Sequence, residues 1–175
     1  MTSAAVLVAG LGSPHGDDQA GWLAVHHLHS LLRNHPWTAN QVVARQLGSP
    51  LDLLPAFSEY QHVLICDAVR IKPAENSPAC LRIDLPTPWN AQNLAAHFHE
   101  CPSSRIDSHG LGLIEVLQLA ELQLLHHRPQ TTLFAIPATS FAPFTPTAPD
   151  VCLRAQITAR HIQNELEILS RRAIC

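Results

Sequence analysis

The tightest constraint on this chain lies between Gly10 and Gly21, where Gly-Leu-Gly-Ser-Pro-His-Gly-Asp-Asp-Gln-Ala-Gly follows the apolar run Ala4 to Ala9 and precedes a helical pattern. The order is strand, glycine-rich turn, helix start. Glycines at 10, 12 and 16 permit positive φ and close backbone approach, and Pro14 stiffens the turn. Asp17 and Asp18 stand at the helix N-terminus, where a nucleotide-binding loop would offer bare N–H groups to phosphate. Two carboxylates there repel a polyanion and favour a cation. The third glycine also comes one residue late for G-x-G-x-x-G, and the next apolar run, Gln41 to Arg45, lacks a terminal acid to bind a ribose. Helix capping accounts for one carboxylate, with Asp17 as N-cap contributing about 0.3–1 kcal/mol through the macrodipole. Asp18 is left as the functional candidate.

With 175 residues, 46% apolar and 14% charged, the chain can bury one ordinary core, and a single domain over 1–175 is expected. The net charge of −3, a lone lysine at Lys72 and scattered arginines provide no basic stripe, so nucleic acid is not an expected partner. Met1 leads into the first strand without a basic leader or a cleavage site, and no apolar run approaches membrane-spanning length; a cytoplasmic protein without a membrane partner is expected. Five cysteines, at 66, 80, 101, 152 and 175, show no C-x-x-C spacing, which argues against structural zinc and a disulfide framework. Cys175 is a candidate exposed thiol. Of twelve histidines, His26, His27 and His29 fall in the first helix, His97 and His99 in a later one, and His126 and His127 at a helix end. The pairs two apart point to different helix faces and make no ligand couple.

Periodicity predicts alternating elements. The first helix is expected over about 18–33, with Trp22, Val25, Leu28 and Leu32 on one face and Pro36 beyond it. After a strand over 41–45, Ser49-Pro50-Leu51-Asp52 reads as a capped helix start, shortened or kinked by Pro55. His62 to Val69 reads as a continuous apolar run ended by an aspartate, as expected of a central parallel strand covered on both faces, with Asp67 at its C-terminal end. Leu81 to Leu85 alternates like an edge or antiparallel strand, and helices are expected over about 90–100 and from Ser108 to near Leu125. His109 sits at the entrance of the latter. A buried strand over 131–137, a proline-rich loop over 138–149 and a final helix over about 150–172 complete the pattern. The expected fold is a three-layer α/β/α arrangement with a mostly parallel central sheet and helices on both faces. Ligands in such sheets bind beyond the strand carboxyl ends where strand order reverses, so Asp18 and Asp67 should lie side by side with the His109 loop within reach.

Gly-Leu-Gly-Ser with Asp-Asp-x-x-Gly, Leu-Ile-Cys-Asp-Ala at a later strand end, and Ser-His-Gly-Leu-Gly-Leu-x-Glu-Val-Leu opening a helix occur in that order. Together they resemble the motifs of the nickel-iron hydrogenase maturation proteases, from about Ala4 to the final helix. The resemblance implies an endopeptidase that removes a C-terminal extension from the hydrogenase large-subunit precursor once nickel is in place. It implies a site of Asp18, Asp67 and His109, catalytic and metal-recognising, with nickel carried by the precursor rather than held by the free protease. Two departures stand out: Ser13 replaces the asparagine usual after the second glycine, and Asp18 stands where the family often has the longer glutamate.

Two carboxylates and an imidazole form an N/O donor set suited to nickel or zinc, with coordination positions left for substrate or water. No Gly-x-Ser-x-Gly elbow is present, and Cys66 is expected inside a buried strand where a thiol is inert. Two alternatives stay open. A self-contained metal-dependent aminopeptidase or amidase would use similar ligands and keep its own metal, and a non-catalytic maturation scaffold would bind the precursor without cutting it.

Overall fold

The first strand is dictated by six small or apolar residues in a row: β1, Val6–Leu11, is buried along its whole length, which requires cover on both faces. The computed structural model describes residues 6–33, 41–71, 77–85, 87–90, 112–123 and 128–172. In chain order its further elements are α1 (Ala20–Leu32), β2 (Val42–Leu47), α2 (Ala56–Glu59), β3 (His62–Arg70), β4 (Leu81–Leu85), α3 (Leu113–Gln123), β5 (Gln130–Ala138) and α4 (Pro149–Arg172). Single 3-10 turns over Gly16–Gln19 and Pro50–Leu53 lead into α1 and α2. The expected helix over 90–100 lies outside the described residues apart from Asn90 itself, as does the entrance of the helix expected from Ser108.

The strands form one sheet in the order β2-β1-β3-β5-β4. β1 pairs parallel with β2 and β3, and β3 parallel with β5; β4 closes the edge antiparallel to β5, as its alternation predicts. Strand order therefore reverses between β1 and β3. Alternate residues separate the two cores. Val6, Val8, Leu64, Cys66, Phe134 and Ile136 face α1 and α4. Leu7, Ala9, Val63, Ile65, Leu133 and Ala135 face α3 and the Phe57/Trp89 pair, whose ring centroids are 4.8 Å apart. Each fully buried side chain of this size contributes roughly 1.5–3 kcal/mol. The sheet thus carries helices on both faces, the three-layer architecture expected from the sequence.

Local signals hold where they are strongest. Ser49 caps the second 3-10 turn: its hydroxyl accepts from Leu51 N at 3.2 Å, while the Asp52 carboxylate accepts from Ser49 N at 3.2 Å. Pro55 then divides this turn from the four-residue α2. Two expectations shift. The first helix opens as a 3-10 turn, and β3 does not stop at Asp67, because β5 continues to pair with it from Asp67↔Ala135 to Arg70↔Ala138.

Candidate active site

The site begins with glycines that let backbone touch backbone. A Cβ on Gly21 would stand 2.2 Å from the Leu11 carbonyl oxygen and 2.5 Å from that of Cys66, and one on Gly10 would stand 2.2 Å from the Gly21 oxygen. No side chain fits there, so the start of α1 rests directly on β1 and β3. A Cβ on Gly12 would come within 2.3 Å of the Asp18 carbonyl oxygen, which shows the turn doubling back onto Asp18. Asp18 is fixed further by its backbone N–H, which donates to the His15 carbonyl at 3.1 Å. The β1–β3 ladder ends at Gly10↔Cys66, so Asp67 is the first β3 residue beyond it. Asp18, on the turn after β1, and Asp67 therefore both lie at the reversal of strand order, where ligands bind in such sheets.

Electrostatics records that proximity. The Asp67 residue is half-buried, and its carboxyl is pushed up to about 7, first by burial and then by the negative charge of Asp18, against an opposing hydrogen bond from the Ala68 N–H. Near neutrality such a carboxyl can hold or release a proton. A cation between the two carboxylates would replace that proton and remove the repulsion.

Asp17 has a different task from the one its position suggests. It does not cap its own helix: no side-chain cap bond is made at the turn's start. Fully buried, it instead accepts from Thr139 N at 3.0 Å, Ser140 N at 2.8 Å and Ala148 N at 2.9 Å. Burial pushes its carboxyl up, and the N–H groups of Ala148, Ser140 and Thr139 outweigh this and leave it below the ordinary carboxylate value. The cap it makes belongs to the loop after β5. That loop is tied down elsewhere too. Gly16 N donates to Thr145 O at 3.0 Å, the Thr147 hydroxyl donates to Gly16 O at 2.9 Å, and Arg70 lies over the Phe141 ring at 4.5 Å. Gly16 has φ +54, and a Cβ there would stand 2.5 Å from Ser140 O. Of the turn's glycines named for positive φ, Gly16 uses it; Gly10 and Gly12 serve close approach.

His109 lies outside the described residues, as do His97, His99, His126, His127, Cys101, Cys175 and Lys72. Among the described residues no group of three or more His, Cys, Asp or Glu side chains is arranged to hold a metal, so Asp18 and Asp67 stand there as a pair. Cys66 is buried in β3 and its thiol is pushed well above the ordinary value by burial, then by Cys80 and Asp67, which removes it as a nucleophile. Sequence reading missed the partners of Asp17 and the role of Gly21. The doubled Asp-Asp was the available signal for the first, and the Gly10/Gly21 bracket for the second.

Neither a protein-family model nor a curated protein sequence matches the chain. Solved structures do. HycI, a [NiFe] hydrogenase maturation protease from Thermococcus kodakarensis KOD1, aligns with a TM-score of 0.62 at 19% identity, covering 94% of this chain and 94% of its own. The hydrogenase maturating endopeptidase HybD from E. coli aligns at 0.64 and 20% identity, covering 93% and 92%. A hydrogenase 2 maturation peptidase from the Thaumarchaeota archaeon SCGC_AB-539-E09 aligns at 0.56 and 23% identity, covering 93% and 97%. These likenesses establish a shared α/β fold over nearly the whole chain. No described helix is long and apolar enough to cross a membrane.

Proposed function

We propose that this chain is an endopeptidase that trims the C-terminal extension of a nickel-iron hydrogenase large-subunit precursor after nickel insertion. Asp18, Asp67 and His109 are its half of a nickel site shared with the precursor. The observation that carries the reading is the coupled Asp18/Asp67 pair at the strand-order reversal, with one carboxyl held near 7 by burial and its neighbour's charge. Such a pair gains by receiving a divalent ion, and the fold's resemblance to maturation endopeptidases supplies the class of reaction.

In this reading Asp67 gives up its proton as the loaded precursor docks, and Asp18, Asp67 and His109 orient the scissile bond. Nickel carried by the precursor, with Asp18, Asp67 and His109 as its ligands from this chain, would supply Lewis acidity at that bond. A carboxylate oxygen of Asp18 or Asp67 that is not on the ion would accept the proton of the attacking water. Asp18 reaches one methylene less far than the glutamate often found at this place in the family, and keeps its charge.

The test is incubation of the purified chain with nickel-loaded and nickel-free precursor, followed by intact mass. Loss of the extension from the loaded form alone is expected. Equal cutting of both forms rejects the shared site, and stoichiometric metal in the protein as purified favours a self-contained metallohydrolase. Tight binding of precursor without cutting favours a scaffold.

A further inference from the structure

Beside the Asp18 turn, Phe144 stands 94% exposed with a backbone φ of 59. A bulky L-residue avoids that left-handed conformation, for which glycine or asparagine is the ordinary choice. The backbone on either side of Phe144 is tied down. Thr145 O accepts from Gly16 N at 3.0 Å, the Thr145 hydroxyl donates to Ala142 O at 2.7 Å, and Asp17 gathers Thr139, Ser140 and Ala148 behind it. The ring meets His15 edge to face, with centroids 5.8 Å apart and planes at 74°. Among the described residues the buried His15 Nδ1 has no hydrogen-bond partner. His15 is also the residue whose carbonyl accepts from Asp18 N. An aromatic that adds almost nothing to the core, in a backbone conformation that disfavours it, thus stands on the loop after β5 with its ring against the turn that carries a candidate site residue.

We propose that Phe144 and His15 form a positioning shelf that seats an apolar side chain of the polypeptide substrate next to the bond to be cut. This deepens the endopeptidase reading and rests on it. Because the His15 carbonyl accepts from Asp18 N, the pair flanks the turn that a polypeptide held at Asp18 would meet, and an edge-to-face aromatic pair offers it an apolar contact at little cost in side-chain entropy. Phe144 touches no reacting atom. Its contribution is uniform binding, which changes KM and leaves kcat in place.

The experiment compares wild type, Phe144→Gly and Phe144→Trp in steady-state processing of nickel-loaded precursor, with thermal unfolding of each. Glycine relieves the φ and removes the ring. The glycine variant is expected to unfold at or above the wild-type temperature while its KM rises about tenfold and kcat stays within about twofold. Tryptophan is expected to keep KM within about threefold of wild type. An unchanged KM in Phe144→Gly overturns the shelf, and so does a lowered unfolding temperature, which would return Phe144 to holding the loop. If wild-type protein leaves the precursor intact, the endopeptidase reading fails and the shelf falls with it; processing indifferent to Phe144→Gly removes the shelf alone.

Discussion

Asp17 and Asp18 are neighbours in sequence, yet the turn between them divides the molecule into a pinned side and an open side. On the pinned side the Asp17 carboxylate has three backbone N–H donors and is held below its ordinary protonation range. On the open side burial, and then the charge of Asp18, push Asp67 the opposite way. The same functional group thus serves as glue where donors saturate it and as a charged site where another carboxylate faces it. Saturation with fixed donors marks structure, and uncompensated like charge in a crevice marks chemistry.

Substitution tests that division most severely on the open side. Asp18→Asn, Asp67→Ala and His109→Ala are each expected to lower precursor processing about 100-fold or more, with stability within about 0.5 kcal/mol or raised. Processing yield beside unfolding temperature is the measurement. Full activity in any of the three removes that residue from the site. Asp17→Asn is expected to do the reverse. Losing one acceptor oxygen and facing an amide NH₂ toward buried donors costs about 2–3 kcal/mol, or roughly 4–12 °C in melting temperature. Processing below the new transition should remain. If Asp17→Asn abolishes cutting in a fully folded protein, the two sides are not separate.

The pH dependence of stability gives a finer separation. Asp67 is raised above its ordinary value of 3.8, so its contribution is complete below about 4 and lost as pH rises through about 7 in the cation-free protein. Asp17 is lowered, so its contribution is present above the unfolded value of 3.8 and lost as pH falls through its lower folded value. Chemical denaturation across pH 3 to 8 should show two limbs of opposite slope. Asp67→Asn should flatten the neutral limb alone. The smallest effect expected is calorimetric: a divalent cation binding at pH 6.5 should release less than one proton per site, a number that falls toward zero in Asp67→Asn.

How much of this was legible depends on the range of the interactions. The Ser49 cap, the alternation of Leu81 to Leu85 and the apolar run of β1 are decided by residues within a few positions, and local chemistry read them correctly. The crevice followed from the strand order that alternating elements imply. The role of Asp17 did not, because its partners lie 122 to 131 residues away, and capping of the adjacent helix was the only local use for a buried acid there. The true end of β3 was hidden for the same reason: an aspartate looks like a terminus until β5 is seen to pair through it. β5 in turn runs through Pro137, which lies past the last β4 partner, Ala135, where one ladder has already ended.

The ties from Asp17 also govern when the crevice can come into being. A carboxylate near the start of the chain can meet Thr139, Ser140 and Ala148 only after β5 has joined the sheet, so its loop closes across most of the polypeptide. β1, α1 and β2 can assemble early from neighbouring segments. The glycine turn therefore cannot reach its final bonded shape before the segment from Thr139 to Ala148 is in place. Amide protons at Ser140 and Ala148 would then exchange only by opening that whole unit, so the architecture that presents Asp18 is as durable as the join between the two ends of the chain.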